Sequence, residues 1–401
     1  MLVFLLLALP LPRVAARAAK DESLARTYPV PKNMYVFHVS REGVLGFVPD
    51  PRNRGAGCAG FSCTLYRSPA LGAKFKPVKT FSRVNMVFNG PCSHQGTADM
   101  ASSLAFVWAK KQENFALYVS TDAGRTWKTV PGTERDSPCP PFVVVLGLVN
   151  PHQAYVIPAE PTTPFYGRQP LSLHRFLETK DGGVTWEQRS LPGKTPPAVE
   201  GLLFHPEEPN KMWVWRGSMG NWTGVRYSED GGLTWKPVEE IYGGGRISGV
   251  VFNPFTGELL VTGRQVISRW YNGKGEDLRD KCSLSSSDFE AGPPLLDIRG
   301  KEVLIPVGNA VYACRNGNVS KLAVFPASLL SKGGSLVYAF LSEGKLYLSF
   351  MNVKGQGQVL EYPLPAASAP WRWLVLGGVL VLAVLGGFSL RRRTSTTRPE
   401  Q

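Results

Sequence analysis

The chain has 401 residues, with 42 Gly, 33 Pro, six Cys and a formal net charge of +14 at neutral pH. That length admits two ordinary domains or one large all-β unit. Gly and Pro at this density, with no long helical periodicity before residue 371, exclude a helical bundle and point to many short strands joined by turns.

Residues 1–11 (MLVFLLLALPL) are an apolar run too short to span a bilayer, followed by Arg13 and Ala16-Arg17-Ala18. They predict a secretory signal over residues 1–18. Further on, one pattern recurs: STDAGRTW at 120–127, TKDGGVTW at 179–186 and SEDGGLTW at 228–235, at intervals of 59 and 49 residues. A period near 50 residues signals a radial or solenoid array. The pattern has a physical logic. Asp122, Asp181 and Asp230 can accept hydrogen bonds from N–H groups of their own turn. Gly124, Gly183 and Gly232 supply positive φ, while Trp127, Trp186 and Trp235 open the next strand with a ring to bury. Ser120, Thr179 and Ser228 head the three copies. A self-capped hairpin is favoured over catalysis or Ca²⁺ binding at these aspartates. A decayed copy occupies residues 68–75, with Ala70 for the Asp, Phe75 for the Trp and Gly72 kept.

A second unit of strand, Pro turn and strand precedes the later copies, at Val149-Asn150-Pro151, Phe204-His205-Pro206 and Phe252-Asn253-Pro254. The predicted blades are 34–80, 85–132, 140–192, 198–241, 246–290, 293–326 and 334–365. Seven four-stranded sheets would close as a β-propeller, with six as the alternative. The first blade is expected to borrow a strand from the C-terminal end. A Pro-rich loop at 158–170 presents Phe165, Tyr166 and Arg168 as candidate ligand contacts. The even set of six cysteines predicts disulfides, Cys58 with Cys63, Cys92 with Cys139 and Cys282 with Cys314, one of about 15 connectivities. Sequons place N-glycans at Asn221 and Asn318. Residues 366–370 read as a stalk after a propeller spanning 19–365. Residues 371–390, flanked by Trp371, Trp373 and Arg391–393, read as a transmembrane helix. A cytoplasmic tail, 391–401, follows.

The eight-residue pattern is the Asp box, or BNR repeat, of sialidases and the sortilin receptor family. Signal, Asp-box propeller and one membrane span together resemble the sortilin family. The likeness is sharpest in LYRSPALGAKFKPV (65–78) and FHPEEPNKMWVWRG (204–217), and covers about half the ectodomain. It implies a lumenal propeller that binds peptide or protein ligands without catalysis. The chain departs from that family in being too short for ten blades and in passing directly to the stalk without a cysteine-rich module. Its tail, RRRTSTTRPEQ, carries neither a Tyr-based nor an acidic di-Leu signal. Sialidases instead hold a substrate carboxylate with an Arg trio, the first in a Tyr/Phe-Arg-Ile-Pro motif. Tyr66-Arg67-Ser68-Pro69 comes close, so Arg67 is the one catalytic candidate, yet the same residues fit the decayed box, and the structural reading is favoured. Arg246, Arg264, Arg269 and Tyr271 could follow only by position.

The five histidines show no metal-ligand spacing and there is no Gly-x-Ser-x-Gly elbow, so no metal and no cofactor are expected. The signal carries two arginines and the tail four arginines and one glutamate, which leaves +9 on the remainder. That charge biases the ectodomain toward acidic or sialylated ligands or anionic lipid, or serves solubility alone. The sequence therefore predicts an all-β, seven-bladed Asp-box propeller on a single-pass type I membrane glycoprotein of the secretory or endosomal pathway or the cell surface. It would be a non-enzymatic receptor for a protein or peptide ligand, with no nucleic acid partner and an open oligomeric state. The alternatives are a sialidase-like hydrolase or sialoglycan-binding protein, and a scaffold subunit of a membrane complex.

Overall fold

Strands buried between two neighbouring sheets need apolar residues on both faces, and here they read as continuous runs. ISGVVFN and ELLVTG are buried throughout, whereas the outermost EQR and KP are exposed. The computed structural model describes residues 25–40, 43–49, 61–88, 104–136, 142–147, 150, 152–158, 173–193, 199–216, 224–239, 247–284, 291–292, 294–297, 300–325, 335–342, 344–351 and 356–364. These lie in a unit ending at Leu364; the second unit, Pro365–Gln401, lies outside them.

The described strands form seven four-stranded antiparallel blades. Blade 1 is β2 (Tyr35–Ser40), β3 (Gly43–Pro49), β4 (Phe61–Ser68) and the first half of β5 (Lys76–Phe88). The second half of β5 opens blade 2, with β6 (Ala105–Lys111), β7 (Asn114–Ser120) and β8 (Lys128–Thr129). Blade 3 is β9 (Phe142–Leu146), β10 (Ala154–Pro158), β11 (Phe176–Thr179) and β12 (Glu187–Arg189). Blade 4 is β13 (Gly201–Phe204), β14 (Met212–Arg216), β15 (Gly224–Ser228) and β16 (Lys236–Pro237). Blade 5 is β17 (Ile247–Asn253), β18 (Glu258–Gly263), β19 (Val266–Tyr271) and β20 (Lys274–Asp277). Blade 6 is β21 (Leu295–Asp297), β22 (Glu302–Val307), β23 (Ala310–Arg315) and β24 (Asn318–Val324). Blade 7 is β25 (Ser335–Ser342), β26 (Lys345–Met351), β27 (Gly357–Pro363) and, from the other end of the chain, β1 (Arg26–Val30).

The expected strand exchange is therefore reversed. The N-terminal β1 completes the last blade, with Arg26 opposite Glu361 and Val30 opposite Gly357. Blade 1 already has its fourth strand in β5, and Pro29 suits an outermost position, where one side needs no ladder bond. The first strands of neighbouring blades touch one another, β2 with β25, β13 with β17, β17 with β21 and β21 with β25, and so surround the axis. Three of these inner strands, β2, β17 and β25, carry a bulge one or two residues from their start, at Phe37, Ser248 and Val337, and β5 carries one at Asn85 where it passes into blade 2. Bulges sharpen local twist, which helps the sheets fan round the ring.

Apolar clusters bridge every junction, joining blades 7, 1 and 2, then 2 and 3, 3 and 4, 4 to 6, and 6 and 7. The turns between first and second strands and between third and fourth strands share one face. Gly182 donates to His152 O (2.8 Å) and Gly231 to Asn210 O (2.9 Å), each joining the two turns of one blade. This box face carries all three Asp boxes.

Candidate functional site

Each box is a closed set of local bonds. In the first, the Ser120 hydroxyl donates to Asp122 Oδ1 (2.8 Å) and accepts from the Gly124 amide (2.7 Å). Asp122 in turn accepts from the Thr126 amide (2.8 Å) and hydroxyl (2.6 Å). The second repeats this with Thr179, Asp181, Gly183 and Thr185, the third with Ser228, Asp230, Gly232 and Thr234. Gly124, Gly183 and Gly232 stand at φ of 83°, 87° and 90°. Each abuts the preceding blade. A Cβ there would come within 2.5 Å of Leu45, 3.3 Å of Val119 and 3.2 Å of Leu191, respectively. The indoles follow the same rule, Trp127 edge-on to Phe81 and Trp186 edge-on to Phe106. Trp127 and Trp186 also donate to the carbonyls of Gly124 and Gly183 (3.1 and 3.2 Å). Trp235 has no such acceptor among the described residues, and Gly193 lies against the Gly232 carbonyl instead. The boxes thus brace turns and seat each blade on the one before it.

Hydrogen bonds from Thr185 hold the Asp181 carboxyl at about 2, and those from Thr234 push Asp230 lower still. Burial raises Asp122, but the bonds from Thr126, Ser120 and Arg125 outweigh it and leave it lowered. Folded values below the unfolded carboxylate near 3.9 stabilise the fold fully above that pH and lose the effect as pH falls through the folded values. The melting temperature should therefore hold from neutrality to about pH 5 and fall steeply between about 4 and 2. Asp230→Asn should melt earlier at neutral pH and show a shallower acid limb. Equal acid limbs in variant and parent would sink this account.

A cleft of about 470 Å³ opens between blades 3 and 4. Its walls are Tyr155 on β10 and Phe204 on β13, stacked at 4.2 Å and 26°, with Phe176 edge-on to Tyr155 at 6.2 Å. Glu178, 3% exposed, sits opposite Tyr155 in the β10–β11 ladder, so both project from one sheet face. Gln153 donates to Glu178 Oε1 (2.8 Å) and to the Tyr155 hydroxyl (2.6 Å), and Arg189 Nε lies 2.9 Å from Oε2. Burial, and then the Glu178 charge beside it, raises the Tyr155 phenol, which stays a donor. His205 Nδ1 accepts from the amides of Glu207 (3.2 Å) and Glu208 (2.9 Å), which fixes the turn bordering the cleft. Burial lowers its pKa, against the pull of Glu208, and keeps it neutral. The cleft so combines an apolar aromatic wall, a buried carboxylate ion-paired through one oxygen, and rim cations at Arg189 and Lys180, the composition of a side-chain binding site.

Residues 118–129 match the BNR/Asp-box repeat. No curated protein matches the chain. Among solved structures it is similar to YCF48 from Cyanidioschyzon merolae, at 16% identity over 85% of this chain and 98% of that one, TM-score 0.46. A chain of the mitotic checkpoint complex matches at 12% identity over 91% and 98%, TM-score 0.48. The GH74 xyloglucanase from Xanthomonas campestris matches at 12% identity over 81% of this chain and 53% of that one, TM-score 0.43.

Arg67 lies on β4, the third strand of blade 1, opposite Leu45 and Lys76, and leads directly into the decayed box. There Ser68 donates to Ala70 O (2.8 Å) and Gly72 has φ 80°. Arg269 and Tyr271 lie on β19 of blade 5, where Arg269 pairs with Glu258 and Glu276. The structure does not gather Arg67 and these residues into one site. Cys63, Cys282 and Cys314 are buried thiols, and the expected Cys282–Cys314 staple is not formed. Both pack as small apolar side chains in the core of blades 4–6, where burial pushes them up to about 11 and about 12. Burial likewise pushes Cys63 up to about 12. Asn318 is exposed at the start of β24. Phe165, Tyr166, Arg168, Asn221, Arg246, Cys58, Cys92 and Cys139 lie outside the described residues. Among the described residues no helix is long and apolar enough to cross a membrane, and residues 371–390 lie outside them.

The aromatic pair of the cleft had a signal in the sequence. The junction of blades 4 and 5 repeats it as Trp213 and Phe252, stacked at 4.8 Å. There both rings are buried, whereas Phe204 stays half-buried beside the open cleft. The smaller Tyr155 in place of a Trp marks the difference.

Proposed function

We propose that this chain is a non-enzymatic, sortilin-like binding protein, anchored in a membrane of the secretory pathway by residues 371–390, that takes a protein or peptide ligand on its propeller. The observation that carries the reading is the cleft between blades 3 and 4. A ligand side chain laid on Tyr155 and Phe204 would contribute roughly 2 kcal/mol from apolar burial, and Arg189 and Lys180 at the rim favour an acidic or sialylated neighbour beside it. The Asp boxes support a scaffold role, since their carboxylates are consumed in bracing turns.

The full chain, immobilised in detergent, should capture a ligand reversibly, and that capture should weaken with salt. Phe204→Ala should reduce affinity at least tenfold, a loss of about 1.4 kcal/mol, and Arg189→Gln should reduce its salt dependence with the fold intact by circular dichroism. Hydrolysis of a fluorogenic sialoside that disappears in Arg67→Ala would overturn the proposal in favour of a sialidase. Unchanged capture by both cleft variants would remove the ligand from this cleft.

A further inference from the structure

Both ends of the described propeller open on the box face. β1 starts there, with Arg26 opposite Glu361, and Leu364 donates to Gly344 O (2.9 Å) in the turn joining β25 to β26. Six residues, 365–370, separate Leu364 from the apolar run beginning at Trp371. Such a tether reaches at most about 20 Å.

The same face is unusually apolar at its tips. Four of the six large apolar side chains exposed among the described residues lie on it: Val184, Leu233, Phe255 and Tyr271. Val184 and Leu233, 68% and 56% exposed, hold the same place in the second and third boxes. The first box has Arg125 there, so the hairpin itself requires no apolar residue at that position. Phe255 lies in the first turn of blade 5 and Tyr271 at the start of its last.

Cations surround these tips. In or beside the turn from third to fourth strand, blades 1 to 6 expose Lys74, Arg125, Lys180, Lys236, Lys274 and Arg315 in order. Exposed acidic groups on the face are fewer among the described residues: Asp122, Asp181 and Asp230 are tied into the boxes, Glu187 is exposed on blade 3, and blade 4 adds Glu207, Glu208 and Glu229. Glu208 pairs with Lys211 (3.2 Å) and Glu229 with Lys236 (3.4 Å), while Glu207 is exposed.

We propose that the box face is a membrane-docking surface: the propeller rests on an anionic bilayer through this ring of cations, with Val184, Leu233, Phe255 and Tyr271 entering the interface. The chemistry is that of peripheral proteins, in which apolar tips and basic side chains act together. The pose rests on the reading of residues 371–390 as a membrane span. Lys180, His205, Asn210 and Gly231, which line the cleft, lie in turns of this same face, so a ligand of the cleft and the bilayer would meet at its edge.

The test uses the full chain in nanodiscs of phosphatidylcholine alone, in nanodiscs containing phosphatidylserine, and in detergent. Amide hydrogen exchange is followed in the box-face turns 180–185, 229–234 and 272–274, and in the opposite-face turns 264–265 and 308–309. Phosphatidylserine discs should slow the box-face turns on the order of tenfold relative to detergent, with the opposite face unchanged. Val184→Asp combined with Leu233→Asp, both at solvated positions, should abolish that slowing, and high salt should reduce it. A chain that inserts yet exchanges equally in discs and detergent, or gains protection on the opposite face, overturns the pose alone. Protection that survives the double variant and follows a co-purified protein would assign the face to a protein partner instead. A chain that stays outside the discs overturns the membrane-span reading and the pose with it.

Discussion

Glu258→Ala is expected to lower the stability of the propeller by about 3–5 kcal/mol, the range for removing one partner of a buried ion pair. Glu258 is 1% exposed at the start of β18. Its Oε1 accepts from Arg269 Nη1 (2.7 Å); Oε2 accepts from the Thr256 hydroxyl (2.8 Å) and from the Asn316 amide (3.0 Å). Asn316 belongs to the β23–β24 turn of the next blade. Arg269 also pairs with Glu276 (2.6 Å), and Lys281 joins Glu276 to the Gly317 carbonyl (2.8 Å). Neither blade 5 nor blade 6 has an Asp box, and this carboxylate does from the neighbouring blade what the box aspartates do within their own turns. The alanine variant leaves the Asn316 N–H without its acceptor and Arg269 with Glu276 alone. Urea unfolding should show the midpoint falling sharply, and Glu258→Gln, which can still accept from Asn316, should fall less. A midpoint for the alanine variant within about 0.5 kcal/mol of the parent would refute the clamp.

Gly193→Ala should cost about 3 kcal/mol, although the residue is only half-buried and gains a single methyl. A Cβ at Gly193 would stand 2.0 Å from Gly232 O and 2.5 Å from Leu233 Cα, backbone atoms of the third box. No rotamer can relieve that contact, so the connector or the box must move. Gly292→Ala is the control, because its nearest neighbours would be at 3.6 Å or more. Hydrogen exchange should show the amides of Gly232 and Thr234 losing protection while Gly124 and Gly183 keep theirs. Uniform loss across all three boxes would instead indicate global destabilisation without the specific blade-to-blade contact.

The cleft shows where reading from sequence stops. Gln153, Tyr155, Glu178, Arg189 and Phe204 are drawn from two blades and about fifty positions of chain. Phe204-His205-Pro206 is legible as a turn, but nothing local says that Phe204 will stack on Tyr155. Arg67 went the other way. Its neighbours Ser68, Gly72 and Phe75 already declare a hairpin, and the structure places it on the strand that enters that hairpin. The expected Cys282–Cys314 pair rests on an even cysteine count, which carries no information about whether two buried sulfurs are bonded.

By itself the sequence determined the hairpins of the three boxes and left the blade number between six and seven. An Asp box closes its bonds within eight residues, so its presence can be read without knowing what surrounds it, and the interval between boxes sets the size of a blade. Tertiary structure alone decided the rest: β1 as the outer strand of blade 7, the bulges at the axis, the Glu258–Asn316 bond across 58 positions, and the cleft beside the stacked rings of Tyr155 and Phe204. These depend on which surfaces meet when the ring closes, and such pairings are set by burial summed over neighbouring sheets, which no short stretch of residues encodes.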